Sequence, residues 1–217
     1  MLFPLLPALA LAAAAALPSP RAPGAVSGKV TATAMAGAGR PWLIYVENGP
    51  AQPAEAASRR EMTQKDSLFA PGTIWVRAGD SIDFVNNDNV YHNVFSTTRG
   101  AEFDLGLYRG GVKKSVEMRQ PGEVDVYCNI HPQMRAKVLV IPSAQAVEAG
   151  ADGSYSLEKL PPGSYTLVAW TSAHEPARKQ IEVKAGETAR TDFSLQPRAV
   201  KQAQHLNKNG EQYGRYK

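Results

Sequence analysis

The chain has 217 residues, room for one large or two small domains, and 43% of them are apolar, enough for a core, which excludes wholesale disorder. Its formal charge of +4 is confined to segment 198–217, where Arg198, Lys201, Lys208, Arg215 and Lys217 stand against one acid, Glu211. The rest is balanced, so no nucleic-acid partner is expected of the globular part.

In chain order, Leu2 to Leu17 is an uncharged Ala/Leu-rich run followed by Pro18-Ser19-Pro20. Ala12, Ala14 and Ala16 suit a signal peptidase, so residues 1–20 read as a signal peptide and the product as periplasmic or secreted. No Lys or Arg precedes the run. It is too short and Ala-rich for a span, so no stable membrane span is expected after processing. Export makes the cysteine count informative. An oxidising compartment favours disulfides, yet Cys128 is the only cysteine. Metal ligation is one reason to keep such a thiol.

Beyond residue 20 the chain reads as β throughout, with no apolar face at helical spacing. Val26 to Ala32 and Trp42 to Val46 are strands around an Ala/Gly-rich loop, 35–39. Asn48 to Ser58 is a Pro/Ala-rich linker. From Thr73 to Val85, Ile74 and Val76 alternate with polar or bulky neighbours. Gly79-Asp80 turns, and Ile82 and Phe84 alternate again, which predicts a hairpin. Lys114 to Met118 repeats the pattern. Glu123 to Cys128 puts Val124, Val126 and Cys128 on one face, and Lys137 to Ile141 is a short apolar strand. Further strands are expected over Ser154–Leu157, Tyr165–Trp170, Gln180–Val183 and Thr191–Leu195. Segment 197–217 reads as a flexible basic tail.

One motif carries chemistry. Cys128, His131 and Met134 stand at C-x2-H-x2-M spacing, and His92 follows a predicted strand upstream. Two imidazoles, a thiolate and a weak axial thioether hold both Cu(I) and Cu(II) with little rearrangement. Cys128 closes a buried strand, so its sulfur is rigidly placed, and Pro132 stiffens the loop. Asn93 is positioned to hydrogen-bond the ligand loop and tie the two ligand segments together. Zinc is a competing metal, although structural zinc favours a second Cys or a carboxylate over Met. Of the other histidines, His174 reads as solvent-exposed and His205 lies in the tail.

The stretch from about Met62 to Ile141 resembles the cupredoxins, of the plastocyanin and amicyanin kind. It carries Phe69-x-Pro71, Val76-x-x-Gly79-Asp80, Phe84-x-Asn86-x-Asp88, His92-Asn93-Val94 and the Cys-His-Met loop. The short Cys128-to-Met134 loop is most similar to amicyanin. The resemblance implies a Greek-key β-sandwich with one copper ion at one end. It also implies one-electron transfer between redox protein partners, with the edge of His131 as exit and Pro132 and Gln133 bordering the docking patch. A second stretch resembles the carboxypeptidase-regulatory, transthyretin-like module: Asp152-Gly153-Ser154-Tyr155, Leu160-Pro161-Pro162-Gly163-x-Tyr165, Val183-x-Ala185-Gly186-Glu187 and Phe193-x-Leu195. Gly28-Lys29-Val30 and Ile44-Tyr45-Val46 look like its opening strands. The expected organisation is all-β. Residues 26–50 and 143–196 form the small transthyretin-like sandwich, and the cupredoxin, 60–142, is inserted within it. Exported methylamine-utilisation-type proteins have a similar combination.

The expected function is an exported blue-copper electron carrier, not a catalyst, since too few histidines remain for further copper centres. The competing expectation is a non-redox carbohydrate- or partner-binding β protein with a structural metal site. In that reading Tyr165 and Trp170 form a stacking surface, although core packing suits aromatics in a strand.

Overall fold

A computed structural model describes residues 21–32, 41–51, 55–199 and 206–213. Residues 1–20, expected to be a signal peptide, the 35–39 segment and His205 lie outside the described residues. Among those described there is no helix, and the strands β1 to β17, numbered in chain order, form four sheets.

The first sheet joins β1 (Gly24–Ala32) to β13 (Ser154–Leu160), β16 (Thr188–Arg190) and β17 (Phe193–Leu195). The second runs β12 (Ala146–Glu148), β2 (Leu43–Asn48), β14 (Gly163–Trp170), β15 (Ala177–Val183). The third runs β5 (Thr73–Arg77), β11 (Arg135–Ile141), β10 (Gly122–Cys128), β7 (His92–Ser96), β8 (Phe103–Tyr108). The fourth runs β4 (Leu68–Ala70), β3 (Arg59–Lys65), β6 (Ser81–Asn86), β9 (Lys113–Glu117).

Side-chain alternation stacks these sheets into two sandwiches, back to back. Val138 and Val140 of β11 enter one core with Ile74, Val76, Ile82, Phe84, Val124, Val126 and Cys128. Leu139 and Ile141, on the other face of the same strand, enter a second cluster with Leu43, Tyr45, Val168 and Trp170. Likewise Ile44 and Val46 face a third core, with Val26, Leu157, Leu167 and Phe193. Strands buried on both faces read as continuous apolar runs, as Leu43-Ile44-Tyr45-Val46 and Val138-Leu139-Val140-Ile141 do. Polar contacts seal the junction: Trp170 Nε1 donates to Glu123 (2.7 Å), Trp75 Nε1 to Glu148 (2.6 Å), and the Thr73 and Ser172 hydroxyls meet at 3.1 Å.

Two expectations need correction. Strands β5 and β6 are not a hairpin. They lie in opposite sheets of one sandwich, where β5 pairs in parallel with β11 and β6 in parallel with β3. Alternation records that one face is buried but not which strand lies alongside, and both sheets face the same core. Gly79, at φ 93°, and the Asp80 carboxylate, which accepts from the Arg77 and Ser58 amides, make the crossover instead. His174 is buried (2% exposed) against the Trp42 ring rather than solvated, because its loop tucks back and bridges to Pro197. Within the expected tail, the described residues Lys208 and Tyr213 hydrogen-bond to the third sheet and the loop that leaves it.

Candidate metal centre

His92 opens β7 and Cys128 closes β10. The two strands pair antiparallel, Cys128 beside Val94 and Tyr127 beside Phe95, so both residues reach the same end of the sheet. The loop after Cys128 folds back at once: Met134 N donates to His131 O (3.0 Å) and Cys128 N to Met134 O (3.2 Å). That closure brings His131 beside Cys128. His92 Nδ1 and His131 Nδ1 stand 3.0 Å apart, and Cys128 Sγ lies 3.8 Å from the first and 3.5 Å from the second. The three donor atoms all lie within 4.8 Å of one another. His92, Cys128 and Met134 are fully buried, His131 is partly exposed, and Pro132 and Gln133 are exposed. Met134 belongs to the same core cluster as Cys128.

The electrostatics favour a bound cation. Burial pushes the Cys128 thiol up. Hydrogen bonding from His92 and from the backbone N–H groups of Asn93, Ile130 and His131 outweighs it, so its pKa falls below the ordinary thiol value and the thiolate is favoured. Burial also depresses His92, but Cys128 and Asp88 together hold its pKa above the usual imidazole value. At His131 burial and the neighbouring His92 pull the pKa down, against a weaker pull from Asp88.

Sequence reasoning passed over the group that orients His92. Asp88 Oδ2 lies 2.7 Å from His92 Nε2. A carboxylate there fixes the proton on Nε2 and leaves the Nδ1 lone pair free to bind metal. Asp88 is itself gripped by the Asp66 and Ser67 amides (2.6 and 2.9 Å). Burial opposes its ionisation, yet these amides and His92 keep its pKa below the usual value. Asn86 holds the turn through Nδ2 bonds to Val90 O and Tyr108 O, while its Oδ1 accepts from Asp88 N. Close packing continues at Gly110, where a Cβ would lie 2.1 Å from Asp88 O. The available signal was the carboxylate at Asp88, four residues before His92 within an Asn/Asp-rich turn.

Asn93 departs from expectation in one detail. Its backbone, not its side chain, ties the ligand segments together, with Asn129 N donating to Asn93 O at 3.2 Å. The side-chain amide donates instead to Asp104 Oδ1 (2.6 Å).

The family model for copper binding proteins of the plastocyanin/azurin family matches residues 56–141, and that for the carboxypeptidase regulatory-like domain matches 129–196. Amicyanin-alpha of Methylorubrum extorquens is 32% identical over 92 residues, 41% of this chain and 76% of that protein. The chain belongs to the plastocyanin/azurin family of copper-binding proteins. The methylamine utilization protein MauL of Methylophilus methylotrophus is 33% identical over 89 residues, and the matched region spans 51% of its length. Among solved structures, a reduced amicyanin variant superposes with a TM-score of 0.35 at 23% identity, covering 37% of this chain and 79% of that one. The two family matches overlap on β11, the strand that serves a core on each face.

The cofactor of this cupredoxin is copper, and the converging donors suit it. Two imidazole nitrogens and a thiolate are soft-to-borderline ligands of the kind that select copper. They meet with two of the three residues buried and no carboxylate among the donors, which disfavours hard cations.

Proposed function

We propose that the chain is an exported electron carrier whose single copper ion is held by His92, Cys128, His131 and Met134. The observation that carries this reading is the convergence of the two Nδ1 atoms and Sγ at one end of the sandwich, fed by two paired strands. Copper in such a set supplies a one-electron couple that changes state with little rearrangement. The residues do the rest. Asp88 fixes the His92 ring and proton, paired strands fix Cys128, and the closed 128–134 loop fixes His131 and Met134. Burial of His92, Cys128 and Met134 excludes water.

His131, the partly exposed member, is the exit for electrons, with Pro132 and Gln133 at its rim. The exposed apolar side chains support a docking role for this end. Val90 and Tyr91 directly precede His92, Leu107 lies opposite Asn93 on β8, and Leu68 follows the amide that grips Asp88. An apolar patch around a metal exit suits brief encounters with redox proteins.

We further propose the inserted arrangement, with domain limits at 26–50, 60–142 and 143–196. Pairing of β1 with β13, β16 and β17, and of β2 with β12 and β14, supports it. Export, to the periplasm or beyond, is argued from the N-terminal apolar run, and no described helix is long and apolar enough to cross a membrane. Tyr165 and Trp170 are buried, so a sugar-stacking role has no support.

A redox titration tests the carrier reading. The copper-loaded chain should take up one electron per molecule reversibly, and Cys128→Ser should abolish the couple. A chain that cycles no electrons, or a Cys128→Ser variant that cycles normally, would contradict it.

A further inference from the structure

The C-terminal arm, residues 206–213, returns to the ligand loop after the chain has left the second sandwich. It is a turn closed on Asn207, whose Oδ1 accepts from Asn209 N and Glu211 N, with Asn207 N bonded to Glu211 O. Three contacts dock it. Lys208 N donates to Asn129 Oδ1 (2.9 Å), Lys208 Nζ pairs with Asp104 Oδ2 (2.7 Å), and the Tyr213 hydroxyl donates to the Cys128 carbonyl (2.7 Å). Asp104 accepts through its other oxygen from Asn93, the residue next to His92. The arm therefore touches the Cys128 segment directly and reaches the His92 segment through Asp104.

We propose that this arm is a clamp on the copper site, in which Tyr213 is a positioning residue that raises the reduction potential. The idea rests on Cys128 being the copper thiolate, as proposed above. The reduced site carries one more negative charge than the oxidised site. A hydroxyl dipole aimed at the carbonyl of the thiolate residue presents its positive end to that charge and stabilises the reduced state more. Hydrogen bonding around the cysteine sulfur is a recognised lever on the potential of such sites, and here the dipole acts from the carbonyl of the same residue. The Lys208–Asp104 pair is about 40% exposed, so it contributes little energy by itself and serves to hold the arm in register.

The test compares the copper-loaded chain with Tyr213→Phe, which keeps the ring and removes the hydroxyl, and Lys208→Glu, which repels Asp104 and releases the arm. Both should shift the redox equilibrium toward the oxidised form, by two- to tenfold, where tenfold is about 59 mV for one electron. An unchanged potential in Tyr213→Phe overturns the role of the hydroxyl, even if Lys208→Glu alters it. Amide hydrogen exchange on the metal-free chain reads docking separately. Residues 207–211 should be protected in the wild type and exchange faster in Lys208→Glu, and equal exchange overturns the clamp. A wild type lacking a thiolate-to-copper band would overturn the copper reading, and with it the Tyr213 role, while the exchange result still decides whether the arm is docked.

Discussion

Asp88 and Cys128 do their work by being held. The Asp88 carboxylate reaches His92 Nε2 only because the Asp66 and Ser67 amides and the Asn86 side chain hold its turn. Replacing it by Asn removes the anion that raises imidazole basicity, so Asp88→Asn should weaken copper binding by about 10- to 100-fold. Loss of a negative charge beside the site should also raise the reduction potential. Competition with a chromogenic copper chelator measures the first effect and redox titration the second; unchanged affinity would reduce Asp88 to a turn residue. The four ligand candidates were legible because their spacing is chemically specific, a lone thiol among imidazoles and a thioether. Asp88 was not, because an aspartate in an Asn/Asp-rich turn looks the same whether it serves the turn or the metal. His174 was misjudged for a related reason: loop position suggests exposure, and the fold of that loop over Trp42 is a tertiary fact.

At the scale of elements, β10 and β14 join the two sandwiches. Inward, β10 carries Val124, Val126 and Cys128; outward it presents Glu123 to the neighbouring sandwich. Glu123 accepts from Trp170 Nε1, from Lys137 Nζ, and from Arg198 through both oxygens. Burial raises its pKa, but Arg198, Trp170 and Lys137 overcome that and hold it at about 2, below the usual 4.5. A carboxylate depressed on folding stabilises the fold above its unfolded pKa, and the contribution is lost as pH falls through the folded one. Stability should therefore drop between about pH 4.5 and pH 2, and Glu123→Gln should flatten part of that drop. Denaturant melts across this range check the sign; a variant with the same pH slope as the wild type would contradict it. Strand identities were largely readable from alternation, since most strands bury one face or both. Partners were not: the β5–β6 hairpin failed because alternation is equally satisfied across a sandwich.

Across the whole molecule, four sheets share three apolar layers, and the central one, around Trp170, Leu139 and Tyr45, belongs to both sandwiches. That layer predicts cooperative unfolding, with the copper domain and the second module melting together. Trp170→Ala should cost about 3–5 kcal/mol by leaving a cavity. It should also separate the transitions monitored by copper colour and by far-UV signal; superimposable transitions in the variant would argue against the shared layer. The continuous apolar runs at 43–46 and 138–141 were the sequence trace of strands buried on both faces. Their consequence, two modules fused through a common core, required the second module's own strands to be placed in space.

All of this converges on the donor set. The most direct test is the visible and electron paramagnetic resonance spectrum of the Cu(II)-loaded chain, with Cys128→Ala alongside. The wild type should be intensely blue from thiolate-to-copper charge transfer, with a narrow parallel hyperfine splitting, and Cys128→Ala should lose the colour even where copper stays bound. A colourless wild-type Cu(II) complex with wide splitting would contradict a site built from His92, Cys128, His131 and Met134.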